Sequence, residues 1–409
     1  KLFLNHDFIS FSRLMLYKPR YSYSEYAKAF GVIQTPGLDK LFHDIQYKDR
    51  ERHRQRESQL YEKFMELRQS KASQQHKHRA YKILERILTE EIPGSHLLMK
   101  GSAVTNLGSS DSDLDLCLLA RDSDSQNFET NIAYEFLFEA ERILKENSFV
   151  LSAELIDATV PVLKVKLKFP FNHFFIDIVC NYLEGIRNSH LLFYYVKIDE
   201  RLHQMALLLR DIAKKASIID SRKGRLNSYG LILMIVHYLQ CAVNPPILPN
   251  LTKLFPQHFD NPSLDPRKLR YDLDLHIPDN ISTFMRSLKA LERNDMSYIP
   301  QRSIPDIPKN ERSLSELLYG FCNYYAQFNY EKCGISIRNA CLLDRSKQMT
   351  LDYNFFLEEP YHLKSVAISN LKSVLTEMTD IFGEERDTLL TDICGEVPGR
   401  LFEASNTDE

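Results

Sequence analysis

The chain contains no apolar run of the roughly 18 to 20 residues needed to span a bilayer, and its start lacks the basic, apolar and small pattern of a secretion signal. Both absences predict a soluble, cytoplasmic protein with no membrane partner. Nor is there a basic excess: 52 Lys and Arg against 55 Asp and Glu leave a formal net charge of −3. That balance argues against a domain that grips nucleic acid by bulk electrostatics, although a local basic groove fits within it. The seven cysteines are odd in number and include no Cys-x-x-Cys, which disfavours a disulfide framework and a zinc site and predicts free thiols in a reducing compartment. No internal repeat of about 20 to 50 residues is visible, so a solenoid is not expected. What remains is an ordinary globular composition. The 409 residues are 44% apolar with 24 Phe and 21 Tyr, enough to fill the cores of two or three domains. The chain begins at Lys1 rather than Met, which reads as a piece of a longer protein whose flanks carry regulation or targeting.

The most informative stretch runs from Lys100-Gly101-Ser102 through Asp113-Leu114-Asp115 to Leu118-Leu119. Residues two apart on a strand share a face, so Asp113 and Asp115 are expected to project together while Leu114, Leu116 and Leu118 enter the core. Paired carboxylates suit a divalent metal. Gly101-Ser102 ahead of them offers a tight turn and a hydroxyl where a metal-bridged phosphate would lie. Two ions about 3.5 to 4 Å apart need a third carboxylate from elsewhere. Asp177 qualifies, sitting within Phe174-Phe-Ile-Asp-Ile-Val179, a β-branched and aromatic run in which a bare carboxylate would be costly without a cation. An isolated Asp-x-Asp is usually a turn or a solvated loop. The turn, the strand pair and the later strand Asp together read as a nucleotidyl-transfer site.

With those residues in view, the chain resembles the DNA polymerase β type nucleotidyltransferases, and within them the cytoplasmic poly(A) and poly(U) polymerases. The likeness continues through Asn181, Asn188-Ser189, Leu226 to Gln240, Ser313 to Phe321, Ile335 to Arg338 and Leu357 to Pro360. It covers roughly residues 80 to 370 and is greatest to the germline poly(A) polymerases, which lengthen mRNA tails with RNA-binding partners. The resemblance implies an α+β architecture: a mixed-sheet polymerase β-like catalytic domain, a mainly helical central domain and an active site in the cleft between them.

The expected organisation is an aromatic segment over 1–47 that packs on the body or docks a partner, then a charged helix over 48–74 joining the central domain. A catalytic domain over 75–190 follows, with helices at 78–91 and 125–147 and strands at 162–169 and 174–179. In Val162 to Phe169, alternation predicts Leu163, Val165, Leu167 and Phe169 inward and Lys164, Lys166 and Lys168 outward on a solvated face, with RNA contact the lesser reading. His76 and His78 read as surface residues rather than ligands. From 191 to 409 the patterns predict a helical domain, with helices at 200–216, 227–242, 281–291 and 313–328 and a poly(A) polymerase-associated region over about 313–370. The proline-rich stretches Asn244 to Asn250 and Tyr298 to Pro308 read as loops.

Nucleotide contacts are expected from several segments. Asn227 and Ser228 suit a helix start whose first turn attracts anions, Ser228 donating to a phosphate and Tyr229 stacking on a base. Arg210 and Lys214, four apart, share a helix face and reach one triphosphate. The family commonly carries lysine where Arg210 stands, and arginine is not a neutral replacement. By resemblance, Asn181, Asn188 and Ser189 line the sugar and phosphate end, with Gly101 and Ser102 at the phosphates. In uridylating relatives a histidine follows the Pro360-like turn by about five positions; here Ser365 stands there and His362 lies two beyond Pro360, so ATP is the expected substrate. The reading is then template-independent addition of AMP to an mRNA 3′ end. Asp113, Asp115 and Asp177 hold Mg²⁺, with Mn²⁺ as a substitute, and an RNA-binding protein tethers the RNA. The alternatives are a terminal uridylyltransferase and an inactive, transferase-like scaffold for RNA-binding proteins.

Overall fold

The computed structural model describes residues 50–121, 132–215, 219, 226–261, 263–275, 310–330, 332–344, 355–361 and 363–366. The expected segment 1–47, the helix at 281–291 and the loop from Tyr298 to Pro308 lie outside them. The helices used below are α1 (Arg50–Leu67), α2 (Lys71–Glu91), α3 (Ser102–Thr105), α4 (Ala133–Glu146), α5 (Leu183–Ile198), α6 (Glu200–Lys215), α7 (Ser228–His237) and α8 (Leu314–Ala326). The strands are β1 (His96–Met99), β2 (Leu114–Leu119), β3 (Val150–Ile156), β4 (Val162–Leu167), β5 (Ile176–Cys180), β6 (Cys333–Ser336), β7 (Cys341–Asp344), β8 (Phe355–Glu358) and β9 (Leu363–Val366). The fold class is α+β. It divides into two compact units, one of Met65–His203 with Phe255–Leu273, the other drawn from Lys1–Phe64, Gln204–Leu254 and Asp274–Glu409.

The first unit is built on a five-stranded sheet in the order β1-β2-β5-β4-β3. β2 and β5 run parallel, and the remaining pairs are antiparallel. Period-two patterning buries Leu114, Leu116, Leu118, Ile176, Ile178, Leu163 and Val165 on one face at 0% exposure. Helices α2 and α4 supply Leu84, Leu88, Leu137, Ala140 and Leu144 to the same core. Each fully buried Leu, Ile or Val side chain among these contributes about 1.5 to 3 kcal/mol. Helix α2 starts at Lys71, earlier than expected, because Ser70 caps it by accepting from Ser73 N. His76 therefore sits on a helix, its ring 5.9 Å from Phe171 and 5.5 Å from His173.

Two expectations for this unit need correction. Phe169 does not point inward. Strand β4 ends at Leu167 and the chain turns, with Phe171 N donating to Lys168 O, so the alternation stops and Phe169 is 84% exposed. The segment after 190 is also not all assigned to the helical unit, since Phe255–Leu273 groups with the sheet. Hydrogen bonds explain why: Arg270 O accepts from Tyr194 OH and pairs with His190 Nε2, Tyr194 OH accepts from Leu273 N, and Phe259 packs against both rings.

The second unit centres on α7, apolar nearly all round and buried from Gly230 to His237 except at the half-buried Ile232, followed by a π-helical turn over Tyr238–Ala242. Tyr325 OH of α8 donates to Met234 O, and Phe321, Tyr324, Tyr325 and Phe328 stack edge-on or tilted beside Tyr238. Helix α8 carries a capping box of Ser313 and Glu316. Glu57 of α1 also accepts from Leu314 N and Ser315 N, placing a carboxylate on the positive end of α8. This unit is not purely helical: β7-β6-β8-β9 form a four-stranded sheet.

Candidate active site

Asp115 and Asp177 are paired partners on the parallel strands β2 and β5. Because their neighbours Leu114, Leu116, Ile176 and Ile178 fill the core, alternation turns both carboxylates to the opposite, open face of the sheet. Asp113 lies one residue before β2, and its Oδ1 accepts from Phe175 N at 3.2 Å. Two of the three carboxylates are thus cross-strand neighbours, and the third stands just ahead of β2. Asp177 is less buried than its apolar run suggests, with 28% of its side chain exposed, since only the alternate residues of that run enter the core.

Each of the two strand carboxylates has a lysine beside it. Lys100 Nζ is 3.9 Å from Asp115 Oδ1, and Lys164 Nζ is 3.6 Å from Asp177 Oδ1. Burial raises the Asp115 carboxyl above the usual range, and the nearby Asp113 charge adds to this, while Lys100 and Lys77 oppose it. Burial likewise raises Asp177, with Asp113 and Asp115 adding and Lys164 and Lys100 opposing. The site concentrates negative charge that only part of its surroundings offsets.

The Gly-Ser turn is fixed by contacts that only glycine permits. Gly101 has φ +65°, and a Cβ there would stand 2.5 Å from Asp115 Oδ2. Lys100 N donates to Asp115 O at 3.0 Å, and Gly101 N donates to Ser189 Oγ at 2.7 Å. Ser189 Oγ donates in turn to Gly185 O at 2.6 Å. Ser102 opens α3, and Gly108 passes so near that a Cβ on it would be 2.9 Å from Ser102 Oγ. Asn181, expected at the nucleotide sugar, serves as a brace: its amide accepts from Ala120 N at 3.0 Å and donates to Ala120 O at 2.8 Å, joining the ends of β2 and β5. Asn188 is 5% exposed on α5, next to Ser189.

The other expected nucleotide contacts belong to the second unit. Arg210 and Lys214 are on α6, where Lys214 is exposed and Arg210 partly so. Asn227 caps α7, accepting from Gly230 N at 2.7 Å, and Ser228 and Tyr229 form its first turn. His362 lies outside the described residues. Sequence reasoning missed the pairing of Lys100 and Lys164 with the carboxylates, the link from Ser189 to Gly101, and Phe175 beside Asp113. The alternating lysines of β4 were a signal, but their neighbours depend on which strand pairs with β4.

The donor set is all oxygen, which suits a hard divalent ion. Asp177 Oδ1 is buried without a hydrogen-bond partner, so it retains capacity for a cation. As placed, the carboxylates are not gathered round a single point: among the described residues no three or more His, Cys, Asp or Glu side chains cluster as ligands, and a cation would have to draw these carboxylates together. Like charges separate, and Asp113 is turned to Phe175 N.

Residues 57–197 match the family model described as the central palm domain of mitochondrial-like poly(A) RNA polymerases. Residues 313–365 match the Cid1 family poly A polymerase model. The chain is thus similar to the poly(A) polymerase group of nucleotidyltransferases. It is 34% identical over 256 residues to poly(A) RNA polymerase gld-2 of Caenorhabditis elegans, spanning 62% of this chain and 21% of that one. To poly(A) RNA polymerase GLD2 of Xenopus tropicalis it is 30% identical over 311 residues, 76% of this chain and 53% of that one. The chain thus spans between about a fifth and about half of these curated relatives. Among solved structures, the GLD-2/RNP-8 complex matches with a TM-score of 0.64 at 27% identity, over 83% of this chain and 97% of that one. Cid1 poly(U) polymerase bound to MgGTP has the same fold, with a TM-score of 0.64 at 22% identity, over 84% of this chain and 100% of that one.

Proposed function

We propose that the protein adds AMP from ATP to the 3′ end of RNA without a template. The observation that carries this reading is the placement of Asp113, Asp115 and Asp177 on one open sheet face, with Gly101 held against Asp115. In the reaction the RNA 3′-oxygen bonds to the α-phosphorus of ATP, the bond from that phosphorus to the β-phosphate bridge breaks, and pyrophosphate leaves. Asp113, Asp115 and Asp177 would hold Mg²⁺ ions, with Mn²⁺ as a substitute, which supply charge neutralisation at the attacking and leaving oxygens. Asp177 Oδ1, lacking a hydrogen-bond partner, is suited to take the proton of the 3′-hydroxyl. Ser102 Oγ orients the departing phosphates. Ser189, through Gly101, keeps that turn in register, and Asn181 keeps the two carboxylate strands joined.

Arg210, Lys214 and Ser228 are assigned to the triphosphate and Tyr229 to the base, with Asn188 at the ribose. The near-neutral balance of the chain supports reliance on a partner that brings RNA to the site. The solved GLD-2/RNP-8 complex supports a protein partner for this chain as well. A cytoplasmic setting follows from the same reading. Among the described residues no helix is long and apolar enough to cross a membrane.

The test is primer extension on short RNA with Mg²⁺ and each nucleotide offered singly, with the RNA also tethered to the enzyme through a fused RNA-binding module. ATP-selective extension that Asp115→Ala abolishes is the expected result. Preference for UTP would replace adenylation by uridylation, and absence of transfer even with tethered RNA would leave a scaffold.

A further inference from the structure

The open face of the five-stranded sheet does not end at the carboxylates. Lys164 is the cross-strand partner of Asp177, and two residues further along β4 Lys166 shares its face, with its ammonium over the ring of Phe175. On the next strand Lys166 pairs with Ser152 and Lys164 with Glu154, both exposed. One row of side chains, Asp115, Asp177, Lys164 and Glu154, therefore crosses the open face in register, and beside it lie Asp113, Phe175, Lys166 and Ser152, joined by the bond from Phe175 N to Asp113, the ring contact of Lys166 and its pairing with Ser152. Phe175 differs from its neighbour Phe174. Phe174 turns into the core and is 2% exposed, whereas Phe175 is 38% exposed on the face that bears Asp177. Lys166 Nζ is 4.4 Å and Lys164 Nζ 5.2 Å from the Phe175 ring centroid.

We propose that Phe175, Lys164 and Lys166 form the seat of the RNA 3′-terminal nucleotide, its base stacked on the Phe175 ring and its 5′ phosphate held by the two lysines. The assignment rests on the proposed function, because that reaction requires a 3′-hydroxyl at Asp177. Residues two apart on a strand are separated by about 6.5 to 7 Å, the span from a ribose hydroxyl to the base of the same nucleotide. A nucleotide with its 3′-oxygen at Asp177 thus lies over Phe175. Charge complementarity favours nucleic acid over an apolar peptide: an exposed ring flanked by two ammonium groups suits a π-faced base joined to an anion. On docking, the lysines move from the ring to the phosphate, so their charge remains paired. Lys164 also leaves Asp177 and frees that carboxylate. Stacking tolerates every base, as template-independent addition demands when each product becomes the next primer.

The test uses the full chain and an oligoadenylate ending in 2-aminopurine, whose fluorescence falls on stacking, titrated without ATP to millimolar RNA. Quenching is expected with wild type and with Phe175→Tyr. Phe175→Leu preserves apolar volume without a π face and is expected to lose the quench and weaken binding about tenfold. Lys166→Met should weaken binding to all sequences and reduce the salt slope by about one. In extension assays, Phe175→Leu should raise the primer KM at least fivefold more than the ATP KM. Circular dichroism and thermal melting confirm that each variant is folded. Lack of wild-type quenching, or a folded Phe175→Leu that binds and quenches like wild type, overturns the seat. If such a variant also extends RNA normally, the seat fails while adenylation stands. Quenching that depends on Phe175 in a protein that transfers no nucleotide retains the seat and rejects adenylation.

Discussion

The two faces of the five-stranded sheet are made by the same strands and differ by one residue of phase. On one face Leu114, Leu116, Ile176, Ile178, Leu163 and Val165 are fully buried. On the other, Asp115, Asp177 and Lys164 stand in cross-strand register, with Lys166 two residues along the strand from Lys164. The buried face stabilises the unit by removing apolar surface from water, while the open face carries a concentration of carboxylates whose ionised forms burial disfavours. A site of this kind costs stability that the opposite face of the same strands supplies.

The sharpest way to break the comparison is to neutralise the open face. Asp115→Asn is expected to lower adenylation by about a thousandfold or more, since one ligand of a two-metal site and its charge are lost. The same change should raise the melting temperature in metal-free buffer at neutral pH. The sign follows from the raised Asp115 pKa: between the unfolded and folded values the native state binds more protons, so stability falls as pH rises through that window. The gain of Asp115→Asn should therefore vanish below the ordinary carboxylate range. A melting temperature equal to or below wild type at pH 7 would refute the account of this face.

Gly101→Ala comes next. A Cβ at φ +65° would meet Asp115 Oδ2 at 2.5 Å, so the turn must shift. Misplacement of about 1 Å at such a site costs on the order of a hundredfold in rate. Leu116→Ala probes the other face at 0% exposure and should destabilise the unit by about 2 to 5 kcal/mol in chemical denaturation. Its effect on kcat at a temperature where it remains folded should be far smaller than that of Gly101→Ala. Equal losses would mean that the two faces are not separable.

These two faces were largely legible before the structure, and the reason is periodicity. Alternation over Leu114 to Leu118 separated core from carboxylate face, and the Gly-Ser pair was read as a tight turn, which Gly101 makes at φ +65°. Pairing was not legible. Nothing local to Val162 to Leu167 says that Lys164 lies against Asp177, because that depends on β4 pairing with β5 across a loop. The same limit hid the bond from Gly101 N to Ser189 Oγ, which joins positions 88 apart in sequence. Phe169 was misjudged for a related reason: alternation was extended past the end of the strand, where a turn had replaced it. The four strands after Cys333 were missed because helical patterning dominated that part of the chain.

In the second unit, His237 offers a contrasting case of a buried titratable group. It is 0% exposed on α7, its Nε2 is 3.3 Å from Tyr324 OH, and burial pulls its pKa down to about 3. Here the unfolded state binds more protons between about pH 6.5 and 3, so stability falls as pH drops through that window. Thermal melting from pH 7 to 4 should show a decline that His237→Gln flattens. A decline unchanged in His237→Gln would assign the acid sensitivity to other groups.

The smallest expected effect tests whether Ser189 acts on the nucleotide directly or through Gly101. Its Oγ accepts from Gly101 N and donates to Gly185 O, so both roles of the hydroxyl are used within the protein. Ser189→Ala leaves Gly101 N without that acceptor and should destabilise the unit by about 1 kcal/mol. If Ser189 is a positioning residue, kcat should fall severalfold with little change in the ATP KM, and Ser189→Thr should restore it by keeping the hydroxyl. A direct phosphate or ribose contact would instead appear mainly in KM. Ser102→Ala supplies the comparison, because its hydroxyl is assigned to the phosphates. Coupling between Ser189→Ala and Gly101→Ala in a double-mutant cycle would place both on one turn, whereas additive effects would separate them.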